Sequence, residues 1–361
     1  MKILFGVQGT GNGHISRARA LAKAFTAYPQ LDIQWLFSGR PQDEFFDMQC
    51  FGDYQWRRGM TLVSEGGKLR VFRTVARSAP FTFLRDRREL SLDNYDLIIS
   101  DYEPVTAWAS RRAAIPALGI GHQYAFYHHV PEQGGNLVSR AVMRKFAPMP
   151  QALGLHWHHF GQPILPPIID LDYMHPTSVI ENKVLIYLPF EDNQRLINEL
   201  EGLNQYQFYV YAPGLPNQDR GHIHTRPPSR DGFREDLANA RRVVCNAGFE
   251  LNSEALQLGK NILTKPVTGQ MEQSSNALAL SQLGLGQVAG TIDRNTLRDW
   301  LALPLEPPNI QYPNVAEAIA SWIVTGRRQS ISGFSSDLWS RVKGLPDWQP
   351  HRAYLSSTPS L

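Results

Sequence analysis

The sequence predicts an α/β protein of two doubly wound parallel-sheet domains facing across a cleft. Three observations lead there. Continuous apolar runs recur along the chain with helical patterns between them, the mark of parallel strands covered on both faces. A proline-rich stretch, with Pro163, Pro166, Pro167 and Pro176, interrupts the alternation near the middle. And 361 residues, 42% hydrophobic and 19% charged, are enough for two cores.

Residues 3–7 read as the first buried strand and residues 16–25 as the helix after it. Residues 33–37 form the second strand, ending at Ser38-Gly39. The DLIIS run at 96–100 is a further apolar strand that runs into Asp101. Residues 113–120 carry a short helix end and the next strand, which closes at Gly121-His122-Gln123. After the prolines the alternation restarts, with strands expected at 183–188, 207–211, 242–245 and 261–264. Helices are expected at 193–202, 252–258 and 274–283. The expected division is an N-terminal domain at 1–162, a linker at 163–180 and a second domain at 181–312. A C-terminal helix and tail at 313–361 is expected to pack back toward the first domain. Such a pair of domains places its cleft at the carboxyl ends of both sheets.

The net charge of +3 is too mild to imply nucleic acid. No run of about 18 apolar residues occurs, so no membrane span is expected, and the N-terminal apolar run is too short for a signal peptide. Two cysteines, Cys50 and Cys245, fit a reducing, cytoplasmic setting without a disulfide framework. One local bias stands out: residues 57–88 hold nine Lys or Arg against Glu65 and Asp86. This is either a solvated face or a landing site for an anionic or lipid-linked acceptor at a membrane surface.

The first strand leads into Gly9-Thr10-Gly11-Asn12-Gly13-His14. Glycines between a strand and a helix commonly seat a phosphate on the helix N-terminus. The dinucleotide fingerprint G-x-G-x-x-G fails here, because its third glycine is His14 and the second strand ends without a carboxylate. A P-loop is excluded by the missing Gly-Lys-Ser/Thr. An imidazole at the positive end of a helix is held neutral and serves as a general base; the alternative is a capping or packed histidine. Asp101, at the carboxyl end of another strand, can fix the tautomer of His14. It can also cap a helix starting near Glu103-Pro104.

In the second half the chain turns at Asn246-Ala247-Gly248, and a helix follows that carries Glu254. A diphosphate fits the N–H groups near Gly248 and Phe249, with Glu254 one turn behind, where it can grip both ribose hydroxyls. Glu250 and Glu254 can equally just complement the helix dipole. The loop Thr268-Gly269-Gln270-Met271-Glu272-Gln273 offers a carboxylate and amides suited to sugar hydroxyls, or is an ordinary capping loop. His122, at another strand end, is expected to line an acceptor pocket. In the HWHH run, an extended chain would put His156 and His158 on one face with His159 turned away; no acidic or Cys partner sits at ligand spacing, so no metal site is expected.

These residues carry a resemblance. The chain resembles the GT-B glycosyltransferases, which have two Rossmann-like domains. It is similar to the group that adds N-acetylglucosamine to lipid-linked muramyl-pentapeptide in building cell-envelope glycan, to UDP-glycosyltransferases, and to a bacterial and archaeal set of predicted glycosyltransferases. The resemblance covers residues 1–325 at fold level. It implies His14 as base with Asp101 behind it, and a donor site that includes Gly11 and Gly13 of the first loop. It also implies Gly248 and Phe249 at the diphosphate, Glu254 at the ribose, and Gln270, Glu272 and Gln273 at the donor sugar. Glu272 departs from the more usual Asp of that position. The implied reaction is inverting transfer from a UDP-sugar to a hydroxyl acceptor. It needs no cofactor and, with no Asp-x-Asp pair in a suitable position, no metal. A nucleotide-sugar epimerase or hydrolase, or a non-catalytic nucleotide-sugar-binding protein, is compatible with the same residues.

Overall fold

The computed structural model describes residues 1–60, 64–65, 68–69, 80–174 and 178–348. The first sheet contains β1 (Lys2–Gln8), β2 (Asp32–Ser38), β3 (Gln55–Trp56), β4 (Leu97–Asp101), β5 (Ala117–Gly121) and β6 (Ala152–Gly154), in the order β3-β2-β1-β4-β5-β6. Every pairing in it is parallel. Ile3, Leu4, Phe5 and Val7 are fully buried, as an unbroken apolar strand between two helical layers must be. The chain leaves β1 for β2 on one side and reaches β4 on the other. That reversal opens a crevice at the carboxyl end of β1.

The second sheet contains β7 (Ile180–Tyr187), β8 (Gln207–Tyr211), β9 (Gln218–Arg220), β10 (Ile223–Arg226), β11 (Ala240–Asn246), β12 (Asn261–Lys265) and β13 (Gln287–Val288). Its order is β9-β10-β8-β7-β11-β12-β13, with only the short edge strand β9 antiparallel to its neighbour. Here β7 lies at the reversal, between β8 and β11. The two crevices face each other.

The helices are α1 (Asn12–Phe25), α2 (Pro80–Glu89), α3 (Pro104–Ser110), α4 (Leu137–Phe146), α5 (Asn193–Leu200), α6 (Arg230–Asn239), α7 (Phe249–Gln257), α8 (Met271–Gln282), α9 (Arg294–Leu301), α10 (Val315–Val324) and α11 (Ile331–Ser340). α1 packs on β1 and, on another side, on α10 from the far end of the chain. α1 therefore buries more than one stripe, and Arg19 is buried on it by donating to the Phe46 and Asp47 carbonyls. One apolar cluster runs from the first sheet (Phe5, Ile99) through the junction (Trp157, Phe249) to α10 (Val315, Ile319). At that junction the fully buried Trp157 donates from Nε1 to Ser253 Oγ at 2.8 Å and accepts at its carbonyl from the Tyr312 hydroxyl at 3.2 Å.

The proline-rich segment packs into the fold: Ile164, Leu165, Ile168 and Ile169 are buried, and Leu165 N–H donates to Gly154 O at 2.7 Å. The Ile164 carbonyl also accepts from Ser335 Oγ and Trp339 Nε1 of α11, at 2.7 and 2.6 Å. The HWHH run is not extended. His158 and His159 stack with ring centroids 4.4 Å apart, and their Nδ1 atoms accept from the N–H groups of Phe160 and Gly161. The chain turns directly after them, with Phe160 at φ 51°. Among the described residues no helix is long and apolar enough to cross a membrane, and no group of His, Cys, Asp and Glu is placed to hold a metal ion.

Candidate active site at the interdomain cleft

On the first-domain side the site starts from a forced glycine. A side chain at Gly9 would put its Cβ 2.6 Å from the Phe45 ring and 2.7 Å from the Ser38 carbonyl, so only glycine passes there. Gly11 is the N-cap of α1 and has open space around it, and no side chain caps the helix. The first N–H groups of α1 are therefore presented to the cleft. His14 sits in that first turn. Its Nδ1 lies 2.9 Å from Asp101 Oδ1, and among the described residues its Nε2 has no partner.

Asp101 closes β4, and the chain turns sharply behind it through Tyr102 at φ 51°, a costly conformation for a bulky residue. Of the two roles open to Asp101, capping falls to another residue. Glu103 caps α3, accepting from Val105 N at 2.8 Å and Thr106 N at 2.6 Å. Both Asp101 oxygens are thus free to face α1. Oδ1 meets His14 and Arg17 Nη2 (2.6 Å), and Oδ2 meets Arg17 Nε (2.8 Å). Burial alone would raise the Asp101 pKa, but Arg17 and His14 outweigh it and hold the carboxyl below its ordinary value.

The second-domain side is built the same way. Gly248 is the N-cap of α7, again with no side-chain cap and with open space where a Cβ would stand. Asn252 fixes this turn by donating from Nδ2 to the carbonyls of Asn246 (3.2 Å) and Gly248 (2.6 Å). The Phe249 side chain is buried away from the loop, flat on His122 with centroids 4.0 Å apart. Glu254 lies in the second turn of α7. Burial pushes its carboxyl up to about 7, against the pull of Arg234 and with a further push from Asp170. Beyond β7, Glu191 pairs with Lys265 at the end of β12 (2.5 Å).

The remaining expected site residues separate. Glu272, in the first turn of α8, accepts from Gln123 Nε2 across the cleft at 3.1 Å. Gln270 is the N-cap of α8, and its buried Oε1 has no partner among the described residues. Gln273 is turned into the fold, where its Oε1 holds the Val267 N–H at 2.9 Å. His122, expected on the acceptor side, is drawn into the domain junction. It is buried, and both ring nitrogens are engaged, Nδ1 with the Leu155 carbonyl (2.8 Å) and Nε2 with Asn276 Oδ1 (2.7 Å). Burial lowers its pKa, with Glu272 opposing. Asn276 also donates from Nδ2 to Ala247 O at 2.9 Å, so His122 props the loop at residues 246–248 from the other domain.

Sequence reading missed Arg17 as a site residue and gave Glu250 only a dipole role. Arg17 is one helical turn from His14, a spacing that puts both on one face. Its Nη1 pairs with Glu250 in the first turn of α7, bridging the two domains. A side chain at Gly13 would meet Glu250 Cγ at 2.8 Å, so glycine there lets the two helix starts approach. Burial drives Glu250 up to about 8 while Arg17 pulls it back down.

A family model described as glycosyl transferase family 1 matches residues 1–304. No curated protein matches the chain. Among solved structures, the chain is similar to MurG of Acinetobacter baumannii, with 14% identity, TM-score 0.55, and 90% of this chain and 99% of that one covered. It is similar to the spinosyn rhamnosyltransferase SpnG at 13% identity and TM-score 0.57, covering 94% and 99%. It is similar to UGT2 of Phytolacca americana, solved with UDP-2-fluoro-glucose and pterostilbene, at 12% identity and TM-score 0.54, covering 94% and 97%. At such identities the likeness is one of fold.

Proposed function

Because the chain belongs to glycosyl transferase family 1 and has the two-domain fold of GT-B glycosyltransferases, we propose that it transfers a sugar from a UDP-sugar to a hydroxyl acceptor with inversion. The observation that carries this reading is the hydrogen bond from His14 to Asp101 beneath the open N-terminus of α1, opposite the equally open N-terminus of α7. The acceptor hydroxyl would lie on the first-domain side and give its proton to His14 Nε2. Asp101 would hold the ring and balance the imidazolium. The acceptor oxygen would attack the anomeric carbon from the face opposite the departing diphosphate, whose growing charge the α7 N-terminus stabilises. We assign that charge to the helix and not to a metal.

Buried amide oxygens fit the same picture. Six amide side chains have a buried oxygen without a partner among the described residues; Gln8, Gln123, Asn246 and Gln270 stand at or beyond strand carboxyl ends, whereas Asn239 ends a helix and Asn261 begins a strand. Sugar and ribose hydroxyls would satisfy such acceptors, and orphaned acceptors at a cleft call for a ligand of that kind.

A panel of nucleotide-sugars tested by thermal unfolding, then by transfer to hydroxyl acceptors, checks the reading. The matching donor should raise the unfolding temperature. Conversion of the donor without any acceptor would favour an epimerase or hydrolase on the same fold. Glu254→Ala should raise the donor KM roughly tenfold or more at nearly unchanged kcat, because a ribose contact is present before and during the transition state. A fall in kcat alone would remove Glu254 from the ribose.

The acceptor is proposed to be lipid-linked or anionic and met at the cytoplasmic face of a membrane. Much of the basic stretch, residues 61–63, 66–67 and 70–79, lies outside the described residues. Its described end is α2, which exposes Phe81 and Leu84 beside Arg85 and Arg88. Nearby, α4 exposes Leu137, Val138 and Val142 beside Arg140, Arg144 and Lys145. Both helices are anchored in one apolar cluster, through Phe83 and Phe146. Liposomes with anionic lipid should bind the protein better than neutral ones, with about 1 kcal/mol per engaged basic residue and a difference that shrinks with salt. Equal binding to both at low salt would leave these helices as solvated faces and point to a small soluble acceptor.

A further inference from the structure

Asp101 Oδ1 is shared: it accepts from His14 Nδ1 and from Arg17. Arg17 Nη2 lies 2.9 Å from His14 Nδ1 and 2.6 Å from Asp101 Oδ1, while Nε holds Oδ2 at 2.8 Å. The guanidinium is thus a two-pronged clamp that stops the carboxylate from rotating. Its third nitrogen, Nη1, is taken by Glu250 from the other domain. Arg17 is 2% exposed and Asp101 is fully buried, so neither can trade these contacts for water. The charged groups facing this cluster are Asp101 from β4, Arg17 from the helix of His14 itself, Glu250 from α7 and, at longer range, Glu272 from α8.

Glu250 stands in the first turn of α7, immediately after Gly248 and Phe249. We propose that Arg17 is a positioning residue that fixes the Asp101 carboxylate behind His14, and that Glu250, reaching Arg17 from α7 across the cleft, holds Arg17 in that place. The inference rests on His14 being the base.

The test is a double-mutant cycle between residues 17 and 250 in the full chain, read as kcat and donor KM separately, with His14→Ala run alongside. Glu250→Ala should lower kcat about tenfold or more and change the donor KM by less than about threefold. Glu250→Gln keeps an acceptor for Nη1 and should lose less. In an Arg17→Lys background, which keeps the charge but not the fork, the further loss from Glu250→Ala should largely vanish. A Glu250→Ala loss equal in both backgrounds would make Glu250 an independent donor contact and overturn the inference. So would unchanged kcat in both single variants. An inactive His14→Ala with no coupling would sink the inference alone, whereas a fully active His14→Ala would sink the proposed base with it.

Discussion

Replacing His14 with alanine is expected to lower sugar transfer about 10²–10⁴-fold, the usual worth of a positioned general base. Donor affinity should stay close to that of the parent protein. The reason is geometric. His14 lies in the first turn of α1 with Nδ1 committed to Asp101, whereas the elements proposed to hold the donor, the α7 N-terminus and Glu254, belong to the other sheet. The loss should appear in kcat and kcat/KM together, the pattern of an interaction made only in the transition state. The fold should tolerate the change, since the His14 side chain is 14% exposed and packs at the lip of the cleft. Near-full transfer by the variant would reduce His14 to a packing residue and remove the proposed mechanism.

Asp101→Ala should be the most damaging substitution for stability. It leaves the Arg17 guanidinium buried without its bidentate partner, and breaking a buried pair in this way costs about 3–5 kcal/mol. Glu250 still faces Arg17, so the lower end of that range is expected. For a domain of about 150–250 residues this corresponds to a fall in Tm of roughly 6–12 °C. The pH dependence has a definite sign. Arg17 and His14, overcoming burial, hold the folded-state pKa of Asp101 below its unfolded value. The stabilisation is then fully present above the unfolded value, about pH 4, and is lost as pH falls through the lower folded value. Thermal unfolding of parent and variant between pH 3 and 7, values chosen to bracket about pH 4, should show the difference narrowing at the acid end. Equal Tm values for the two proteins at pH 7 would mean that the Arg17–Asp101 pair contributes nothing to the fold.

Where sequence reading erred at the site, it erred in one direction. Helix starts were expected at residues 16, 252 and 274, whereas α1, α7 and α8 begin at Asn12, Phe249 and Met271. Each begins three or four residues early, and each has Gly11, Gly248 or Gln270 at the N-cap with no side-chain cap. The start of α5, by contrast, was read at the right residue, and there Asp192 supplies an ordinary cap to Arg195 N. The usual start signal is a side chain that satisfies the first N–H groups. A helix that presents those groups to a cleft lacks that signal. The short strands β9 and β10 were not foreseen either, since QDR at an exposed sheet edge has no apolar pattern to read.

By itself the sequence determined the alternation of strand and helix, the two sheets, the glycine loops, and the placing of His14 after the first glycine loop and of Asp101 at a strand end. All of these follow from local patterns, because burial on both faces demands unbroken apolar strands and a tight turn demands glycine. Only the tertiary structure decided which polar groups meet. Arg17 and Glu250 are 233 residues apart, His122 and Asn276 are 154 apart, and Ser335 and Trp339 hold the Ile164 carbonyl from the far end of the chain. No periodicity encodes such meetings. They arise because two sheets turn their carboxyl ends toward one cleft, where the cost of burying a charge or an amide forces each to find its partner on the opposite wall.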